Sequence, residues 1–202
     1  MALRRADRDL VGLTVLALLS VRPSHPYELH RFIVDTHKDY IGGLPRSLYH
    51  SVDRLAGEEL IAPVETRREG RRPERTVYDI TEEGRAELAT RLRRLLEQPD
   101  ADTKVFLAAV SLMGCLPERE AERALGTRAA TLEGAIVAAD AHVESLVATG
   151  LPRILLLEVE YNRAMKAAEL EWIRTTLAGI RSGRIAWSAT EAAGLLDEAP
   201  PK

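Results

Sequence analysis

The sequence predicts a mainly α-helical fold that carries one small β-hairpin and ends in long helices. Three observations predict it. The 202-residue chain is only 4% aromatic and rich in Ala, Leu, Arg and Glu, which favours helix. Apolar residues recur at helical spacing through most of the chain. One stretch breaks that pattern: "RREGRRPERTVYDIT" (Arg67–Thr81), a polar Gly- and Pro-containing turn followed by alternating β-rich residues.

The elements follow in order. Arg4 and Arg5 before "LVGLTVLALLSV" (Leu10–Val21) mimic a signal peptide. Asp7 and Asp9, however, sit where such a peptide is basic, and no small-residue cleavage site follows. The run is also shorter than the roughly 20 residues of a membrane span. The expectation is a buried helix capped by Asp7 or Asp9, ending near Ser20 at "VRPSHP", in a cytoplasmic protein without a membrane partner. A second helix starts at Ser24 or His25 with Pro26 in its first turn, and Leu29, Phe32 and Ile33 share a face. Gly42 and Gly43 make a tight turn. A third helix opens at Pro45 or Ser47 and puts Leu48, Val52 and Leu55 on one side. Two short helices joined by a Gly-containing turn form a helix-turn-helix pattern. "LIAPVET" and "TVYDIT" are short alternating strands around the tip "RREGRRPER", so a β-hairpin follows the third helix. Three helices and a hairpin make the winged-helix arrangement.

Thr81 is a good N-cap for a fourth helix, with Glu82 and Glu83 in its first turn. Pro99 and Asp100 end it. Three more helices are expected, over roughly Asp102–Met113, from Pro117 to Thr149, and from Pro152 to about Arg181. In the middle one Leu125, Leu132, Ala139 and Leu146 recur every seven residues, interleaved with Ala129, Ile136 and Val143. That 3.5-residue period predicts a coiled-coil partner helix. The expected organisation is a winged helix-turn-helix domain over 1–98, a helical, coiled-coil-like dimerisation domain over 99–187, and a flexible tail over 188–202.

Composition narrows the function classes. With 46% hydrophobic and 29% charged residues the chain is an ordinary globular one, large enough for a buried core. Its single cysteine, Cys115, allows no intrachain disulfide and reads as core in a reducing compartment. The net charge is -3, yet the charges divide: residues 1–96 hold 17 Lys+Arg and 15 Asp+Glu, and residues 97–202 hold 11 and 16. Within the first part, Arg67–Arg75 alone holds five Arg and two Glu. No dinucleotide fingerprint, phosphate loop or nucleophile elbow occurs, and the five histidines show no metal-ligand spacing. No catalytic residue, metal or cofactor is expected.

The residues "HPYELHRF", "LPRSLYHSVDRLAGEELI" and "RTVYDITEEGRAEL" resemble the PadR family of bacterial transcriptional regulators. The family's motifs fall on Tyr27-Glu28-Leu29, Leu48-Tyr49 and Tyr78-Thr81-Gly84. "LEWIRTTLAGI" (Leu170–Ile180) is similar to the long-helix dimerisation region of its larger members. Two positions depart from the pattern. Pro26 stands where the family has Gly, and Glu59 stands where a Gly ends the recognition helix. If that position is left-handed, Glu59 carries a cost that Gly avoids.

The resemblance implies a homodimeric repressor on a near-palindromic double-stranded operator, controlled by a small, often aromatic, effector. Duplex DNA binds a protein that replaces its counterions with Lys and Arg. The candidate DNA contacts are Arg46, Ser47, Tyr49, His50 and Arg54 on the third helix, Arg67, Arg68, Arg71, Arg72 and Arg75 on the wing, and Tyr27 and Tyr78 near them. Most have a bland alternative. The wing arginines serve solubility, Ser47 is the helix cap, Arg54 pairs with Asp53 or Glu58, Tyr49 is partly core with its hydroxyl satisfied by water, and Tyr27 and Tyr78 pack under the wing. Placement beside a helix-turn-helix favours the DNA reading for the arginines. The candidate dimerisation residues are Leu125, Leu132, Ile136, Val143, Leu146, Trp172, Ile173 and Leu177, with Trp172 either dimer core or the wall of an effector pocket. A different class also stands: a winged helix that binds protein rather than specific DNA.

Overall fold

A computed structural model describes residues 3–38, 40–67 and 75–187. Helix α1 (Leu10–Val21) opens at Asp9, whose carboxylate accepts from the Gly12 N–H at 3.0 Å. The helix is apolar all round, and it is enclosed all round: Leu13, Val15, Leu16 and Leu19 are fully buried, and α1 packs on α3, β2 and α5. Helix α2 (Pro26–Asp35) is capped by a histidine. His25 Nδ1 accepts from the Tyr27 N–H at 3.0 Å, and the Glu28 carboxylate accepts from the His25 N–H at 2.9 Å. Helix α3 (Arg46–Gly57) buries Leu48, Val52 and Leu55, the face that its spacing predicts.

The end of α3 explains one departure from the family pattern. Glu59 has φ +58°, its N–H donates to the Ala56 carbonyl at 3.1 Å, and the Leu60 N–H donates to the Leu55 carbonyl at 3.0 Å. This is a Schellman cap with glutamate in the left-handed position. Strands β1 (Ile61–Arg67) and β2 (Arg75–Ile80) then pair antiparallel from Ile61–Ile80 out to Arg67–Arg75, with a register shift between Pro63 and Glu65. Ser24, between α1 and α2, exchanges two backbone hydrogen bonds with Tyr78, at 3.0 and 3.1 Å. The hairpin is thereby tied to the helix-turn-helix. A single-residue bridge has no alternation to read, so sequence patterning does not reveal it.

Thr81 caps α4 (Glu82–Glu97) as expected: its hydroxyl oxygen accepts from the Gly84 N–H at 3.0 Å. A Cβ at Gly84 would collide with the Leu60 carbonyl and stand 2.8 Å from Ile80 Cγ1. Glycine there lets α4 pass directly against the base of the hairpin. Helices α5 (Thr103–Leu112), α6 (Glu118–Ala148) and α7 (Leu157–Arg181) complete the chain, and a 3-10 turn over Arg153–Leu156 leads into α7. The expected tail from residue 188 lies outside the described residues. Among the described residues no helix is long and apolar enough to cross a membrane.

The chain divides into two units. One holds the described residues up to Leu95 together with Asp100–Pro117; the other holds Leu96–Pro99 and Glu118–Trp187. Helix α5 thus belongs with the helix-turn-helix, beyond the boundary expected after residue 98. Its Val105, Ala108, Ala109 and Leu112 are buried, Lys38 Nζ donates to Ser111 Oγ at 2.8 Å, and Arg8 pairs with Asp100 at 2.6 Å. Pro99 and Asp100 end a helix without ending the packing.

The second unit is an antiparallel helix pair. Ion pairs join the start of α6 to the end of α7 and the later part of α6 to the earlier part of α7: Glu122 with Arg181 at 3.2 Å, Arg128 with Glu169, Glu133 with Arg174 at 2.8 Å, and Asp140 with Arg163 at 2.9 Å. Four of the expected dimerisation residues lie inside the chain. Leu125, Leu132, Ile173 and Leu177 are buried within the single chain and keep almost no surface for a second copy. The heptad pattern correctly calls for a partner helix, and α7 of the same chain is one.

Candidate nucleic-acid interface

One face of α3 is open. Arg46, Tyr49 and His50 are exposed on it, with Asp53 one turn further on, opposite the buried Leu48, Val52 and Leu55. Tyr49 keeps 43% of its surface although Leu48 beside it is fully buried. Sequence reasoning did not select Asp53. Its spacing from His50 is the signal that places it on this face, and a carboxylate there accepts from a cytosine amine more readily than it tolerates a phosphate.

Two other candidates on α3 are engaged within the fold. The Ser47 hydroxyl donates to the Gly42 carbonyl at 3.2 Å. It is not the helix cap; Pro45 holds that position without a side-chain bond. Arg54 NH1 donates to both oxygens of Glu58 at 3.0 Å, and its NH2 donates to Asp9. The Glu58 partner was one of the two expected alternatives. Asp9, from 45 positions earlier, was not.

Tyr27, in the first turn of α2, keeps 58% of its surface exposed. Tyr78 is half-buried in β2, its backbone held by Ser24. The described part of the hairpin ends at the Arg67–Arg75 pair. Arg68, Arg71 and Arg72 lie outside the described residues, as do the side chains of Arg67 and Arg75. The structure therefore brings Arg46, Tyr49 and His50 together on α3.

Arg4 and Arg94 form ion pairs with Asp7. Asp7 is almost fully buried. Burial pushes its carboxyl up, but hydrogen bonds from the Arg4 side chain and backbone, with the charges of Arg4 and Arg94, outweigh that and hold it below its ordinary value. Burial raises the Cys115 thiol, opposed by the Ser20 hydroxyl and the Lys38 charge.

In the second unit, Ile136, Val143 and Leu146 are half-buried, and Trp172 is 42% exposed. Leu157, Tyr161, Met165 and Trp172 form an exposed apolar stripe along α7 at helical spacing. Sequence reasoning missed Tyr161 and Met165, which carry the same i, i+4 spacing that could have found them.

Residues 15–90 match the model of the Transcriptional regulator PadR-like family. Among solved structures, the chain is similar to Bacillus subtilis PadR in complex with operator DNA, at 19% identity over 89% of this chain and 99% of that chain, with a TM-score of 0.42. It is similar to Bacillus subtilis PadR in complex with p-coumaric acid, at 18% identity over 85% and 99%, with a TM-score of 0.38. It is also similar to a PadR-like transcriptional regulator of Bacillus cereus, at 18% identity over 87% and 98%, with a TM-score of 0.37. No curated protein matches the chain significantly. The matched residues 15–90 run from within α1 through the hairpin and into α4.

Proposed function

We propose that this protein is a homodimeric, sequence-specific DNA-binding repressor whose hold on a near-palindromic operator is controlled by a small, aromatic effector. The observation that supports it most is that, within the residues matching the PadR-like model, α3 exposes Arg46, Tyr49 and His50, and the sequence of the hairpin that follows carries five arginines over Arg67–Arg75. In this reading α3 enters the major groove, and its exposed side chains contact base edges and phosphates. The wing arginines lie along the phosphate backbone, where they displace counterions. Two chains pair through the α7 stripe of Tyr161, Met165 and Trp172, joined by the half-buried Ile136, Val143 and Leu146. Dimerisation sets two copies of α3 roughly 34 Å apart on half-sites one helical turn apart. Effector control is the part of the reading that rests on the sequence resemblance alone.

The test is fluorescence anisotropy on a duplex from just upstream of the protein's own gene, against a scrambled duplex, at several salt concentrations. The expected result is a preference of about a thousandfold or more. Arg71→Ala with Arg72→Ala should weaken binding to both duplexes and make the salt slope shallower by about two. An unchanged slope with no preference would replace this reading by that of a winged helix that binds protein.

A further inference from the structure

The Arg54 guanidinium is held from two sides. Glu58, one turn along α3, takes NH1 on both carboxylate oxygens at 3.0 Å. Asp9, at the start of α1, takes NH2 through Oδ2, and its Oδ1 accepts from the Gly12 N–H at 3.0 Å. The Asp9 carboxylate is therefore fixed by the first turn of α1, and α1 is the most enclosed helix of its unit. Gly12 makes the meeting sterically allowed. A Cβ there would collide with Asp9 Oδ2 and stand 2.7 Å from Arg54 NH2. Two carboxylates on one guanidinium leave a local excess of negative charge, which opposes the approach of a phosphate. Neither Asp9 nor Gly12 lies within the matched residues 15–90.

We infer that Asp9, meeting Arg54 over Gly12, is a positioning residue that fixes α3 in its reading orientation and keeps the Arg54 guanidinium off the DNA backbone. The inference rests on the DNA-binding reading above, and it removes Arg54 from the contacts expected of α3. Its physical content is a trade between affinity and specificity. An arginine beside a recognition helix binds any phosphate. Tied to two carboxylates, it adds no indiscriminate affinity and instead locks the angle at which Arg46, Tyr49 and His50 meet base edges.

The experiment measures binding of the full chain to the upstream and scrambled duplexes as a function of salt. Asp9→Asn keeps an oxygen for the helix cap while removing the charge; Glu58→Gln removes the other. In Asp9→Asn/Glu58→Gln the freed guanidinium should reach a phosphate, so the salt slope on both duplexes steepens by about one. Preference for the upstream duplex should fall roughly tenfold, the scale of one mismatched base pair. Adding Arg54→Gln should return the slope to its original value without restoring the preference. Gly12→Ala, with every charge intact, should lose preference in the same direction. Far-UV circular dichroism and thermal midpoints identify any variant that has unfolded, and Glu58→Gln alone supplies the milder comparison. An unchanged slope in the folded double variant overturns the inference. So does a shallower slope in Arg54→Gln alone, because Arg54 would then be a phosphate contact. A wild-type protein with no preference overturns the regulator reading and this inference together, whereas preserved preference in all variants overturns this inference alone.

Discussion

Glu59 shows how a single residue is held against its own preference. A left-handed φ of +58° is costly for any side chain with a Cβ, yet the two hydrogen bonds of the Schellman cap and the strand that starts at Ile61 require it. Glu59→Gly is expected to stabilise the protein by about 1 kcal/mol, read as a higher urea midpoint at constant slope. Asp7 acts in the opposite sense, as a residue placed where it is wanted. Its carboxyl is held below the ordinary value, so the unfolded chain binds that proton more tightly than the folded one. Its contribution is then complete at neutral pH and is lost as pH falls below about 4 and through the folded value. Asp7→Asn should lower the thermal midpoint at pH 7, and the two proteins should converge in acid. A constant difference across that range would remove the charge from the explanation.

At the scale of elements, the α6–α7 pair is the instructive case. Leu132 is buried within the chain, in the helix that ion pairs join to α7. Leu132→Ala should therefore cost about 3 kcal/mol, the penalty of a core cavity. Because that packing lies inside one chain, the loss should not depend on protein concentration. If denaturation at two concentrations a hundredfold apart gave different losses, the seam would lie between chains. The hairpin shows the same economy of contacts. Ser24 bonds its outer strand, Gly84 admits α4 at its base, and Thr81 joins the two by accepting from Gly84 and donating to the Glu59 carbonyl at 2.9 Å. The base of the hairpin is thus tied to the helices on both sides of it.

At the scale of the molecule, the proposed repressor needs two copies in register. The α7 stripe is the surface that supports this, with Tyr161 68% exposed and Met165 and Trp172 beside it on the helix. Tyr161→Asp with Met165→Asp should convert a dimer into a monomer by sedimentation equilibrium while leaving helicity unchanged. Operator affinity should fall steeply, since a monomer engages one half-site at a time. A variant that remains dimeric would move the interface elsewhere on the second unit.

Much of this protein is written locally. The helix starts at Thr81 and, to within one or two residues, at Asp9 and His25, the turn at Gly42 and Gly43 and the two strands follow from caps, breakers and periodicity within a few residues, whereas only the family resemblance raises the left-handed conformation of Glu59. Such signals survive in one dimension because the hydrogen bonds they satisfy close within one or two turns of chain. Tertiary structure alone decided the rest. A seven-residue repeat states that α6 needs a partner but not whose helix it is; α7 of the same chain packs along α6, and Leu125 and Leu132 are buried within the chain. The composition of α5 does not say which unit it joins; Lys38, Ser111, Arg8 and Asp100 do. Nothing near Arg54 announces Asp9, because an ion pair spanning 45 residues exists only once α1 and α3 have packed. Side chains on α3 are exposed or engaged according to neighbours that the fold brings from elsewhere, and that is why the helix was legible in the sequence while the roles of Arg54 and Ser47 on it were not.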